Sequence, residues 1–586
     1  MKRRLERRRY GAIPRGDQAT SFRLWAPQAR HVELLIGDDV YPMQRLGDGD
    51  VEVVAPVGPG CAYRYRIDGH VFPDPASRAQ QDGIDGPSLV VDPDAFGWRH
   101  PDWLGRPWRE AIICELHAGL LGGFEGVRAA LPALRDAGYT AIELMPIAEF
   151  PGARNWGYDG VLPYAPDSSY GSVEALKTLV DDAHGLGLMV LLDVVYNHFG
   201  PYGNYLGAYA PDFFRENEPT PWGPAIDFRR RQVRRFFTDN ALMWLNEYRF
   251  DGLRLDAVHA IHPPSFLNRL ADAVREQVDP QRRVHLILEN EHNNARLLRS
   301  DYTAQWNDDA HNAMHVMLTG EHEGYYADYA SEPAVALQRV LSEGFAFQGQ
   351  RDRRGIRRGQ PSGDLPPTSF VFFLQNHDQI GNRPLGDRLA ASLPLPRWRT
   401  AMALVALCPM VPLFFMGDEW GCDTPFLYFT SHPGELAQQV RDGRRREFAH
   451  FAGFSDPQQR ERIPDPNAPA TFEASVPRGA DAALALATRE WFRSLLNLRK
   501  QHLIPQLDGC RALACARLGE GALRAQWWLT DGSLWTLAFN VGPEAVACQA
   551  PHGAQLLYFE TVDTENPDFA DRLPVDSFAA WLGGNT

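Results

Sequence analysis

Phe250-Asp251-Gly252-Leu253-Arg254-Leu255-Asp256-Ala257-Val258-His259 is the stretch on which the fold turns. Its first half reads as a buried strand and its second half ends in a carboxylate. Side chains two apart in a strand share a face, so Arg254 and Asp256 point one way while Leu253 and Leu255 face a core. An Arg two residues from an Asp holds it ionised and directs it through charge-assisted hydrogen bonds. That arrangement suits a nucleophile, but taken alone it fits an ordinary structural ion pair better.

Working outward, strand-like and helical runs alternate from Ile112 onward. Strands are expected at 112–117, 141–146, 188–193, 253–256, 284–289, 304–306, 370–375 and 411–416. Helical periodicity fills the intervals, as in Gly126 to Ala137, Val173 to Leu186 and Gln232 to Tyr248. Eight β-then-α units predict a parallel (β/α)8 TIM barrel with insertions. A doubly wound open sheet is the alternative, but no Gly-rich phosphate loop follows the first strand. Before the barrel, short strands such as Ser21–Pro27 and Tyr63–Gly69 predict a β-sandwich. After it, Ala522–Trp528 and Ser533–Phe539 predict an antiparallel β domain. The organisation expected is a basic tail over 1–17, a sandwich over 18–104, the barrel over 105–506 and a C-terminal β domain over 507–586: a multidomain α/β protein. Two stretches, Glu343 to Pro367 and Thr430 to Asp481, read as long loops.

Chain length and composition narrow the classes. The 586 residues exceed one core and are 44% hydrophobic and 23% charged. A net charge of −15 argues against nucleic acid or an anionic membrane as partner. The seven Cys are sparse, odd in number and without a Cys-x-x-Cys pair, which favours reduced thiols and a cytoplasmic setting. The basic N-terminus, Met1 to Arg9, has no apolar segment behind it, so it reads as a solvated tail rather than a signal or an anchor. No apolar run approaches the length of a membrane span.

In a (β/α)8 barrel the chemistry sits at the C-terminal strand ends. Reading those ends gives Asp193, Asn197 and His198 after the third strand, and Arg254, Asp256 and His259 after the fourth. Glu289 ends the fifth, and Asn376-His377-Asp378 follows the seventh. Each alone is satisfied by a structural role, a strand-end Asp capping the next helix, for instance. Together they bring acids, histidines and an arginine to one mouth.

Asp193-Val194-Val195-Tyr196-Asn197-His198, Gly252-Leu253-Arg254-Leu255-Asp256, Leu288-Glu289-Asn290 and Asn376-His377-Asp378 resemble the four ordered motifs of the α-amylase family of glycoside hydrolases. The β-rich N-terminal region is similar to the extra domain of isoamylase and branching-type members. Further stretches narrow the resemblance to one branch of the family: Arg154–Gly160, Leu318–Tyr326, Gln375–Arg383 and Pro425–His432. Members of that branch hydrolyse the α-1,4 bond next to the terminal trehalose of maltooligosyltrehalose and release trehalose. The resemblance implies a retaining mechanism with Asp256 as nucleophile, Glu289 as acid and then base, and Asp378 stabilising the oxocarbenium-like transition state. Tyr158 would stack on the reacting sugar, His198 and His377 would hydrogen-bond it, and Asp193 would orient Arg254. His259 and His292, with Trp222 and the 306–309 segment, are candidates for the trehalose side, and a structural role fits each of them as well. The stretch between Asn197 and Phe228 is short for the family's calcium excursion, so no metal and no other cofactor is expected. A glycogen branching or debranching enzyme is the alternative on the same scaffold. A non-catalytic glucan-binding relative would lack one of the three acids, and all three are present. The partners expected are maltooligosyltrehalose and related α-glucans, with the protein a monomer or a homodimer.

Overall fold

The structure is a computed structural model, and it describes residues 9–220, 223–479, 481–561 and 571–583. Its centre is a closed barrel of eight parallel strands in sequential order. They are β1 (Ile113–Leu116), β2 (Ala141–Leu144), β3 (Met189–Val194), β4 (Gly252–Leu255), β5 (His285–Leu288), β6 (Ala304–Trp306), β7 (Phe370–Phe372) and β8 (Val411–Phe415). Every residue of these strands is buried, as expected for a parallel sheet covered on both faces. One set of side chains, including Ile113, Met189, Leu191, Ile287, Val371 and Leu413, fills the barrel interior. Gly252 opens β4 because space allows nothing larger: a Cβ there would stand 2.5 Å from the His285 carbonyl oxygen.

Two antiparallel sheets precede the barrel. One pairs Gly11–Pro14, Thr20–Trp25, Asp50–Ala55 and Gln44–Arg45; the other is built on Val32–Ile36 and Ala62–Ile67. Their apolar faces enclose Phe22, Leu24, Leu34, Tyr63 and Tyr65, all at most 2% exposed. The basic-tail expectation for 1–17 needs correcting at its inner end. Gly11–Pro14 is a strand paired antiparallel with Thr20–Trp25, and Arg9 reaches Asp50 at 2.7 Å. Residues 1–8 lie outside the described residues. Behind the barrel, five antiparallel strands run in the order Arg511–Gly519, Ala522–Trp528, Leu534–Asn540, Ser577–Gly583, Ala554–Glu560. This sheet is tied to the barrel by Trp535, whose indole donates to the Leu407 carbonyl at 2.9 Å.

The two stretches read as loops carry elements of their own. Gln348–Arg351 pairs with Arg357–Gly359 in a hairpin. The second contains helices at Gly434–Glu447, Pro457–Arg460 and Pro469–Ala474. Gly434–Glu447 buries only Arg444, and its apolar stripe is limited to Leu436, Ala437 and Val440, too short a signal from which to read a helix. Among the described residues no helix is long and apolar enough to cross a membrane.

Candidate active site

Register across the parallel ladder assembles the site. Asp193 on β3 lies beside Arg254 on β4, and Leu255 lies beside Leu288 on β5. Asp256 and Glu289, one residue further along each strand, therefore leave the barrel side by side. Arg254 Nη1 donates to Asp193 Oδ2 and to Asp256 Oδ1, both at 2.8 Å. Its guanidinium lies 4.2 Å from the Trp306 ring centroid, a cation–π contact that holds the fork from below. Asn197 Nδ2 donates to the other Asp256 oxygen at 2.6 Å and to the Asp256 carbonyl at 2.9 Å. Both carboxylate oxygens of Asp256 are thus held. Ala257 then takes a left-handed backbone (φ 40°), rare for a residue with a side chain. That turn aims its N–H at Glu289 Oε2, 2.5 Å away.

The end of β7 supplies the opposite wall. Asn376 caps the short helix His377–Gly381, accepting from the Asp378 N–H. His377 Nδ1 meets Glu115 Oε1 at 2.5 Å, and Glu115 Oε2 accepts from the His377 N–H at 2.9 Å. On its other nitrogen His377 contacts the Tyr158 hydroxyl at 2.8 Å, and that hydroxyl donates to Asp193 Oδ2 at 2.6 Å. The two rings stack with centroids 5.1 Å apart. His198 Nε2 lies 2.9 Å from the Tyr158 carbonyl oxygen, and its Nδ1 contacts the Asn197 side-chain oxygen. Asp378 is the open member: its side chain is 54% exposed, with Asn382 donating to it at 2.8 Å.

Environment separates the carboxyls. Burial by itself would raise Asp256, but the Arg254 charge and the Asn197 hydrogen bond outweigh it and hold the group below the ordinary carboxylate range. Burial raises Glu289 well above that range; Arg254 opposes this, and the negative charges of Asp256, Asp308 and Asp378 add to it. Asp193 is pushed up by burial to about 6 against the pull of Arg254. Burial works against charge on His377, and Glu115 reverses that and raises it. One carboxyl poised ionised beside one poised protonated is the division of labour that acid–base chemistry at a sugar requires.

The peripheral candidates divide. His259 and His292 come together with ring centroids 5.2 Å apart, at the rim where the His259 ring nitrogen accepts from the Glu291 N–H at 3.4 Å. The hairpin at 348–359 reaches this rim: Arg358 donates to the Glu291 carbonyl at 3.0 Å and to Asp309 at 2.9 Å. Asp308, half-buried, is pushed by burial to about 7, with Arg358 opposing the rise and Asp378 adding to it. Trp222 lies outside the described residues. Glu115 was missed as a member of the site. Its signal was present: a carboxylate inside an apolar strand buried on both faces needs a partner. Among the described residues no group of three or more His, Cys, Asp or Glu is arranged to hold a metal ion.

Residues 70–220 match the alpha amylase catalytic-domain family, and residues 510–579 match a domain family of unknown function. A crystal structure from Salmonella typhimurium, described provisionally as an alpha amylase, superposes with a TM-score of 0.92 at 40% identity, over 98% of this chain and 99% of that one. With the barrel and its strand-end acids, these matches define an α-amylase-type glycoside hydrolase. The malto-oligosyltrehalose trehalohydrolase of Deinococcus radiodurans is 43% identical over 508 residues, 84% of this chain and 83% of the relative. That of Saccharolobus solfataricus is 37% identical over 555 residues, 90% and 92% of the two chains. The chain belongs to the malto-oligosyltrehalose trehalohydrolase family.

Proposed function

We infer that the protein hydrolyses the α-1,4-glucosidic bond next to the terminal trehalose of maltooligosyltrehalose, with retention, and releases trehalose. The observation that carries the chemistry is the contrast between two adjacent strand-end carboxyls: both oxygens of Asp256 are held by Arg254 and Asn197, which favours its ionised form, while burial and the neighbouring negative charge favour the protonated form of Glu289. In the first step an ionised Asp256 oxygen attacks the anomeric carbon while Glu289 gives its proton to the departing glycosidic oxygen. In the second, Glu289 takes a proton from water, the water oxygen attacks the same carbon, and Asp256 leaves as a carboxylate. Asp378, exposed at the mouth, is free to accept hydrogen bonds from hydroxyls of the reacting sugar. Tyr158, His198 and His377 would meet that sugar by exchanging some of their present partners for its hydroxyls. Trehalose-side recognition falls to the rim carrying His259 and His292.

Purified protein incubated with maltooligosyltrehalose tests this, with products separated by ion chromatography. Trehalose together with a shortened maltooligosaccharide is the expected result. New α-1,6 branches on amylose without trehalose would replace the hydrolase by a transferase.

A further inference from the structure

At the opposite end of the barrel lies a cleft that the reaction does not use. It has a volume of about 310 Å³. Its walls come from the residues that enter the strands: Arg106 and Glu110 before β1, Arg135 to Thr140 before β2, and Leu186 to Leu188 before β3. Lys500 and Ile504 close it. Since β3 has six residues, about 20 Å of strand separates this cleft from the catalytic mouth.

Three cations line the cleft together with Glu110, and Asp136 pairs with one of them at the rim. Arg106 pairs with Glu110 at 2.9 Å and donates to the Gly187 carbonyl at 3.2 Å, but its buried Nε has no partner among the described residues. Arg135, on the rim, pairs with Asp136 at 2.7 Å. The Lys500 ammonium has no hydrogen bond or ion pair among the described residues, while burial and, after it, Arg106 disfavour its charge. Lys500 stands in a π-helical turn, Arg499–Leu503, a rare geometry that recurs at functional sites. The turn is pinned by Arg499, whose guanidinium donates to the carbonyls of Ala406, Cys408 and Met410. A protein with a net charge of −15 has thus gathered like charges around a partly enclosed space and left the Lys500 ammonium without a partner among the described residues.

We propose that this cleft binds a phosphate dianion, either free or carried on a hexose. Lys500 supplies a point charge with donors to spare, and Arg106 and Arg135, whose forks are engaged by Glu110, the Gly187 carbonyl and Asp136, add positive charge beside it. The volume, at the small end of ligand pockets, accommodates a phosphate with one sugar ring. Leu186, Leu188 and Ile504 offer the ring an apolar wall.

Isothermal titration calorimetry on the full-length protein, at constant ionic strength, uses three probes: sodium phosphate, glucose 6-phosphate and glucose. Saturable binding of one or both phosphates, with glucose silent, is expected. A tighter response to glucose 6-phosphate assigns the hexose phosphate, and equal responses assign free phosphate. Lys500→Met and the rim variant Arg135→Gln should each weaken binding about tenfold or more, with unchanged circular dichroism. Absence of saturable heat from both phosphates at millimolar concentration, or equal affinity in wild type and both variants, would overturn the proposal.

Discussion

Replacing Asn197 by Ala probes the site without stranding a charge. Asn197 is buried and gives Asp256 two hydrogen bonds, at 2.6 Å to the carboxylate and 2.9 Å to the carbonyl. The bond to the carboxylate favours the ionised form and adds to the Arg254 charge in lowering Asp256. A hydrogen bond to a charged group contributes about 1.5–3 kcal/mol, and one pKa unit corresponds to about 1.4 kcal/mol. Asn197→Ala should therefore raise Asp256 by about one to two units. Arg254 remains at 2.8 Å, so Asp256 stays ionised at neutral pH. The assay is kcat/KM for trehalose release against pH. The acid limb should move up by about one to two units, with a much smaller loss at neutral pH than on the acid limb itself. A uniform loss with the acid limb unmoved, in a variant of native circular dichroism, would refute the reasoning. Asn197 would then position the site without setting the ionisation of its nucleophile.

Two further outcomes follow from the geometry. Glu289→Gln removes the proton donor, and kcat should fall by about 10³-fold with loss of the alkaline limb of the pH profile; an alkaline limb that survives would assign it to another group. Asp251 is buried beneath β4, accepting from Trp103 at 2.8 Å and from the Val190 N–H at 2.9 Å and meeting His184 at 2.9 Å. Asp251→Ala should cost about 3–5 kcal/mol in urea unfolding. Burial opposes its ionisation, but His184, Arg282 and the Val190 N–H hold it below the ordinary value. A depressed folded-state pKa gives stability that is present above about pH 4 and lost as pH falls through the folded value. The gap between wild type and variant should accordingly shrink in acid, and a gap constant with pH would contradict this.

The barrel was legible because its strands are buried on both faces and so appear as continuous apolar runs. Even the short Ala304–Trp306 strand lies at its expected place, and the other seven differ from expectation only at their ends. The strand-end acids were legible because the fold rule names the places to look. Other features were not. Gly434–Glu447 has only Leu436, Ala437 and Val440 as apolar side chains besides Gly, too few to mark a helix, and tertiary contacts such as Arg444 donating to the Gly381 carbonyl hold it in place. Glu115 lies 262 residues from His377, and pattern alone does not pair two residues across a closed barrel. The left-handed turn at Ala257, which brings its N–H to Glu289, follows from the packing of β4 against β5 and from no local residue preference.

The account stands on Asp256 forming a covalent bond to the sugar. Glu289→Gln, supplied with an activated 5-fluoro-α-glucosyl or maltosyl fluoride, should accumulate the glycosyl-enzyme, since fluoride leaves without a proton. Peptic digestion and mass spectrometry should then place the added sugar mass on Asp256. A label on another carboxylate, or no label with release of the β-anomer, would contradict it.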